Sequence, residues 1–335
     1  MKIDRLELIG VATMQSIRPE RQDREHKSKG MLRLGKAAII TAALASSMGH
    51  IPARKADTVP TEGYLVTDVI PTASKLTGVI NIREIRAESL IRCDTCKGGY
   101  LDVTKSLGPF SIQLNMHLRA VKRDGKSQDF WLQDLIITKE SKSGKLEYSH
   151  YSEIFKLRSP TDLGIINPRT VNGNGKIYNQ YIYNPETKKS FYNGNTYVYN
   201  THYEPFRFPF FMAMSVETHT VNGFLEVSFE YSKRDRKTIK FDTVRIGKRG
   251  EYRSGYIYAD SRDTDASFGI AGDGNGSVAY IPDLKGCMGM AADIYGYFVP
   301  LRYTNGVVQS GERAINMVFI SPPKNGMVRV GAAYK

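Results

Sequence analysis

Four acidic residues stand where their neighbours give a carboxyl group something to do. Asp134 lies in the run Asp129 to Thr138 (DFWLQDLIIT). Alternation along a strand puts it on the face of Phe130, Leu132 and Ile136, where an ionised group loses its hydration. Such a carboxyl is either paired by a neighbour or tuned to hold a proton for chemistry. Asp242, in Lys240 to Ile246 (KFDTVRI), shares a strand face with Lys240 and Val244, so a reactive role and an exposed or turn-capping role both fit. Asp273 sits in Gly272 to Ser277 (GDGNGS), whose glycines let the backbone approach a ligand or another strand closely. Glu312 follows Ser310-Gly311 and precedes an apolar run, a place from which a loop carboxyl could serve a site at a sheet end. Two carboxyls within reach of one another could activate water, one as base and one as acid, because like charges drive their proton affinities apart.

Other chemistries lack their residues. Asp242-Thr243 is followed by Val244 and Asp260-Ser261 by Arg262, so no D-T-G or D-S-G loop of the pepsin type is present. There is no G-x-S-x-G, no H-E-x-x-H and no i, i+4 pair among the histidines, which disfavours a serine hydrolase or a metalloprotease. The glycine run is not a G-x4-G-K-[ST] loop, so nucleotide binding is not expected. Cys93 and Cys96 form a lone C-x-x-C and Cys287 stands apart, and nothing completes a tetrahedral zinc site. A disulfide and ordinary thiols both stay open for these cysteines. No metal and no cofactor are expected.

Strands must position these groups. Ser111 to Ala120 (SIQLNMHLRA) and Asp129 to Thr138 are joined by a polar loop with Asp124-Gly125, the step that suits a tight hairpin. Leu225, Val227, Phe229 and Tyr231 alternate with Glu226, Ser228 and Glu230, and Tyr297 to Tyr303, Ile315 to Ile320 and Met327 to Val330 also read as strands. No helix is expected beyond residue 60. Trp131, the only tryptophan, faces away from Asp134 and is expected to pack a core. Short strands separated by turn signals predict an all-β protein of antiparallel sandwiches, and the length of 335 residues predicts two of them. The expected division is an N-terminal extension over 1–45, a linker or pro-segment over 46–80, and β domains over 81–200 and 201–335. Met31 to Lys36 and Ala37 to Ala45 match a basic segment followed by a short apolar one, the pattern of an export signal. That run is too short to span a bilayer. The location expected is extracellular, with attachment to the cell surface as the variant. A net charge of +13 is scattered and reads as a solvated basic surface, not a nucleic-acid footprint.

Six blocks in order resemble a known family. SIQLN with the following aromatic-Trp-x-Gln-Asp block, then Val171 to Tyr178 (VNGNGKIY), Lys240 to Ile246, Gly272 to Ser277 and Ser310 to Asn316 (SGERAIN) are similar to the blocks of thermopsin-like acid proteases of archaea. The likeness covers roughly residues 85 to 325. It implies a secreted endopeptidase that cleaves unfolded proteins or peptides at low pH by carboxyl-assisted attack of water, of aspartic type. The resemblance supplies the activity, and the residues themselves supply Asp134, Asp242, Glu312 and Asp273 as the candidate carboxyls for a catalytic pair. The basic charge departs from what the family leads one to expect. A non-catalytic extracellular β-sandwich that binds glycan, cell envelope or a protein partner is the alternative.

Overall fold

The computed structural model describes residues 62–67, 69–92, 100–159, 162–184, 189–234, 236–260, 264–274, 277–301, 317–319 and 327–332. Among the described residues nearly all of the backbone is strand, with one 3-10 turn at Pro168–Thr170 and no α-helix, so the all-β expectation holds. The strands that matter for the site are β1 (Glu62–Thr67), β2 (Lys75–Arg92), β3 (Ser111–Lys122), β4 (Ser127–Glu140), β5 (Leu146–Ser159), β6 (Lys176–Asn184) and β7 (Lys189–Asn200). They continue with β8 (Phe210–Val221), β9 (Phe224–Lys233), β10 (Ile239–Ile246), β11 (Tyr252–Asp260), β12 (Ala266–Ala271), β13 (Ser277–Ile294) and β14 (Met327–Ala332).

These strands form two antiparallel sheets. The first runs β1-β12-β3-β4-β5-β7-β6, with β11 also paired to β3. The second runs β14-β13-β2-β8-β9-β10. The β3–β4 hairpin turns where expected: Gly125 has φ 85°, its N–H donates to the Lys122 carbonyl at 3.1 Å, and the Lys126 N–H donates to Asp124 Oδ1 at 3.0 Å. The positive φ is one that glycine adopts without steric penalty.

Side-chain alternation then builds the core. Leu114, Met116 and Leu118 of β3, Phe130, Leu132 and Ile136 of β4, and Ile154 of β5 meet Ile80 of β2, Met214 and Val216 of β8 and Phe229 of β9 in one apolar cluster. The sheets approach closely at Gly78, where an added Cβ would lie 2.5 Å from the Phe268 ring. Trp131 packs on the reverse face of the first sheet with Phe155, Leu157 and Leu163, away from Asp134 as expected.

Two expectations about organisation are corrected. The division near residue 200 is not a break between two sandwiches in series. β8, which follows it, pairs with β2, and β2 pairs on its other side with β13. Each sheet therefore draws strands from both halves of the chain around a shared core. Residues 62–80, expected to be linker, instead supply strands, because Leu65, Ile70 and Leu76 are fully buried. The prolines misled the reading there: Pro71 lies in the short strand Val69–Ala73, which pairs only with β11 across an irregular register, a place where a sheet tolerates proline. The N-terminal extension over 1–45 and the rest of the expected linker lie outside the described residues, as do Cys93 and Cys96.

Candidate functional site: a carboxyl-bearing strand pair

The β4–β5 strand pair carries polar groups on both of its faces. On the inner face, toward the second sheet, Asp134 stands opposite Leu114 on one side and Ser152 on the other. Ile136 stands opposite His150, so His150 is a diagonal neighbour of Asp134 on that face. Asp242 arrives from the second sheet. Across β9–β10 it pairs with Phe229, whereas Lys240 pairs with Glu230, and the register shifts between the two. Phe229 and Glu230 point to opposite faces, so the extra residue, Phe241, turns Lys240 outward and Asp242 inward. The mixed face expected for Asp242 is thereby corrected: a β-bulge separates it from Lys240 and buries it.

Asp242 is satisfied from three elements. Ser152 donates to its Oδ2 at 2.6 Å, the Tyr197 hydroxyl donates to the same oxygen at 2.9 Å, and the Asn174 N–H donates to Oδ1 at 3.3 Å. Tyr197 in turn accepts from the Gly175 N–H at 2.7 Å. Gly173 and Gly175 are glycine for a steric reason, since a Cβ on Gly173 would collide with the Tyr197 hydroxyl and one on Gly175 with the Val198 carbonyl. The VNGNG loop and the FDTV strand, two of the sequence blocks, thus meet at Asp242, and Ser152 ties them to the strand that pairs with the hairpin.

Asp134 differs sharply from Asp242. It is 0% exposed, and neither of its carboxyl oxygens has a hydrogen-bond partner. Burial pushes its proton affinity well above the usual carboxylate range, and the negative charge of Glu230 adds to the shift. Asp134 thus holds its proton past the pH at which an ordinary carboxyl ionises. Glu230 itself, on the outer face of the second sheet, is ion-paired with Lys75 at 2.6 Å and Lys240 at 3.5 Å. His150 lies stacked on Tyr231, ring centroids 3.7 Å apart, with neither nitrogen hydrogen-bonded. Burial, and next the positive Lys233, push its pKa down to about 3. The imidazole is therefore neutral except in strong acid. The two carboxyls share no hydrogen bond; Ser152, opposite one and bonded to the other, stands between them. Both are closed between the sheets.

The reverse face of the same strands was missed by the sequence reading. Ser267, Asn115, Gln133 and Glu153 stand in register across β12, β3, β4 and β5. Gln133 Nε2 donates to Asn115 Oδ1 at 2.8 Å, and Asn115 Nδ2 donates to Ser267 Oγ at 3.2 Å. All four are buried. Farther along that face, Arg119 holds Asp129 through two hydrogen bonds of 2.9 Å, and Tyr258 donates to Asp129 at 3.0 Å. His117, packed edge-on against Trp131, has its pKa lowered to about 4, chiefly by burial.

Of the remaining expected carboxyls, Asp273 lies in a two-residue strand whose backbone pairs with Val278, and Glu312 lies outside the described residues. Among the described residues no three His, Cys, Asp or Glu side chains are grouped to hold a metal ion, and no helix is long and apolar enough to cross a membrane.

A chain whose described residues form a two-sheet antiparallel sandwich, with acidic groups buried in one strand pair, is the class defined so far. The sequence profile of the thermopsin family matches residues 55–316, which is most of the chain, and the protein belongs to that family. It is a family of proteases. No curated protein matches the chain.

Proposed function

We propose that this protein is an acid endopeptidase, exported from the cell, that hydrolyses peptide bonds in unfolded proteins by carboxyl-assisted attack of water. Membership of a protease family supports the reaction class. The observation that carries the acid dependence is Asp134, a carboxyl held protonated by burial in the strand pair formed by one of the family-like blocks. Asp134 is proposed as the residue that couples this strand pair to pH, with Asp242 as the anchor that binds Ser152 and Tyr197 beside it. Clamped between the sheets, they act by positioning β4 and β5 and do not touch a peptide. Export rests on the basic and apolar run over 31–45.

The test is digestion of a reduced, alkylated protein by the full-length chain in acid, in the presence of a chelator, with fragments identified by mass spectrometry. Internal cleavages that persist with chelator support the reading, and intact substrate at every pH sinks it. One observation favours the alternative, a non-catalytic extracellular protein that binds glycan, envelope or a protein: neither inner carboxyl is open to solvent. Intact substrate together with a folded chain would select it.

A further inference from the structure

We propose that Gln133 and Glu153, on the outward face of the β4–β5 pair, are the catalytic pair of the peptidase. The assignment rests on the peptidase reading above. Directly opposed residues on neighbouring antiparallel strands have Cβ atoms about 5 Å apart, so the register of Gln133 with Glu153 places a carboxamide and a carboxyl side by side. The carboxamide is oriented by what lies behind it. Ser267 accepts from Asn115 and Asn115 accepts from Gln133, a row whose donors all point the same way. That polarity uses one hydrogen of Gln133 Nε2 and leaves the second hydrogen and Oε1 for other partners. Oε1 is buried and has no hydrogen-bond partner in the protein, an expensive condition for an amide unless a site is meant to use it.

The division of labour follows from the chemistry of each group. Glu153, ionised, takes a proton from a water molecule that Gln133 Oε1 orients by accepting its other hydrogen. The water oxygen bonds to the peptide carbonyl carbon, and the carbonyl oxygen, gaining negative charge, accepts from the free Nε2 hydrogen of Gln133. Glu153 then passes its proton to the amide nitrogen, the C–N bond breaks, and a carboxyl and an amine leave. Atoms and charge balance with water as the only co-reactant.

The outer pair lies outside the seam between the two sheets, although Gln133 and Glu153 are 2% and 4% exposed there, so a peptide has to displace what covers them. The inner face is where Phe130, Leu132 and Ile136, the same-face neighbours of Asp134, join the main apolar cluster. The apolar residues on the outer face form a separate, small cluster around Trp131. Asp134 and Ser152 are the immediate chain neighbours of Gln133 and Glu153. The inner cluster therefore fixes the backbone from which the outer pair projects.

The experiment measures kcat on a reduced, alkylated protein for the full chain and for Glu153→Gln, Gln133→Ala and Glu153→Asp, with folding followed by Trp131 fluorescence. Loss of about 10²-fold or more in folded Glu153→Gln is expected, the lower end of what a general acid–base group contributes, and a loss of similar size in Gln133→Ala. If Glu153→Gln does not fold, Glu153→Asp keeps the carboxyl but withdraws it by one methylene, and a drop of at least about tenfold is expected. Wild-type rates in a folded Glu153→Gln or Glu153→Asp overturn the assignment while leaving the peptidase reading standing. A wild-type chain that is folded and cleaves nothing overturns both.

Discussion

Replacing Asp134 with Asn removes a titrating group without changing its size, and the effect on stability has a definite sign. Below about 3.8, the ordinary carboxyl value, Asp134 is protonated in the folded and unfolded chains alike, and the stability it contributes is fully present. Above that value the unfolded chain releases the proton while the buried side chain keeps it. Stability is therefore lost as pH rises toward and through the raised folded value, at about 1.4 kcal/mol per pH unit. Asn has no such term. Its buried amide brings a penalty of about 1–3 kcal/mol if left unpaired, but that penalty does not change with pH. The diagnostic quantity is thus the slope of the difference between variant and wild type, not its level. His117 and His150 contribute opposing slopes to both proteins and cancel in the difference. Urea unfolding from about pH 3 to about pH 7, read by the single tryptophan, measures it. D134N should gain on the wild type by about 1.4 kcal/mol for each unit above the ordinary carboxyl value. Parallel stability curves would show that Asp134 ionises normally in the folded chain and would refute the reasoning.

Further outcomes follow from the same geometry. His150 has a folded pKa of about 3 against an ordinary 6.5, so its contribution is present above 6.5 and is lost as pH falls toward 3. His150→Phe should therefore gain on the wild type by about 1.4 kcal/mol per unit of acidification in that window, as read in the same unfolding series. Tyr197→Phe removes a hydroxyl that donates to Asp242 and accepts from Gly175; a loss of about 1.5–3 kcal/mol is expected by denaturant unfolding. Gly78→Ala forces a Cβ onto the Phe268 ring and should lower stability by about 1–3 kcal/mol, measured as a fall in the urea midpoint with an unchanged m-value.

The period-two pattern of β4 made Asp134 legible: Phe130, Leu132 and Ile136 do line the core, and the aspartate sits among them. The Asp124-Gly125 step likewise placed its hairpin, because turn chemistry is local. Asp242 was misjudged because strict alternation pairs it with Lys240, and a bulge is invisible until the partner strand is known. Glu153 escaped for a related reason. Along β5, Ser149, Tyr151 and Glu153 read like an ordinary solvated face, and only cross-strand register aligns Glu153 with Gln133, Asn115 and Ser267. The boundary near 200 failed because composition and length carry no information about which strands pair. Here β2 recruits neighbours from far along the chain. Local chemistry was readable, and contacts set by long-range pairing were not.

The central claim is that this thermopsin-family chain is a peptidase that works in acid, and its most direct test is a rate. A reduced, alkylated substrate is unfolded at every pH, so its own unfolding does not shape the profile. Cleavage by the full-length protein should be fastest at about pH 4–5, where a carboxylate base and a carboxyl that keeps its proton coexist, and fall by at least about tenfold by about pH 7, with the protein still folded at both. Equal rates across that range would contradict the acid mechanism, and no cleavage by the folded protein at any pH would contradict the peptidase assignment itself.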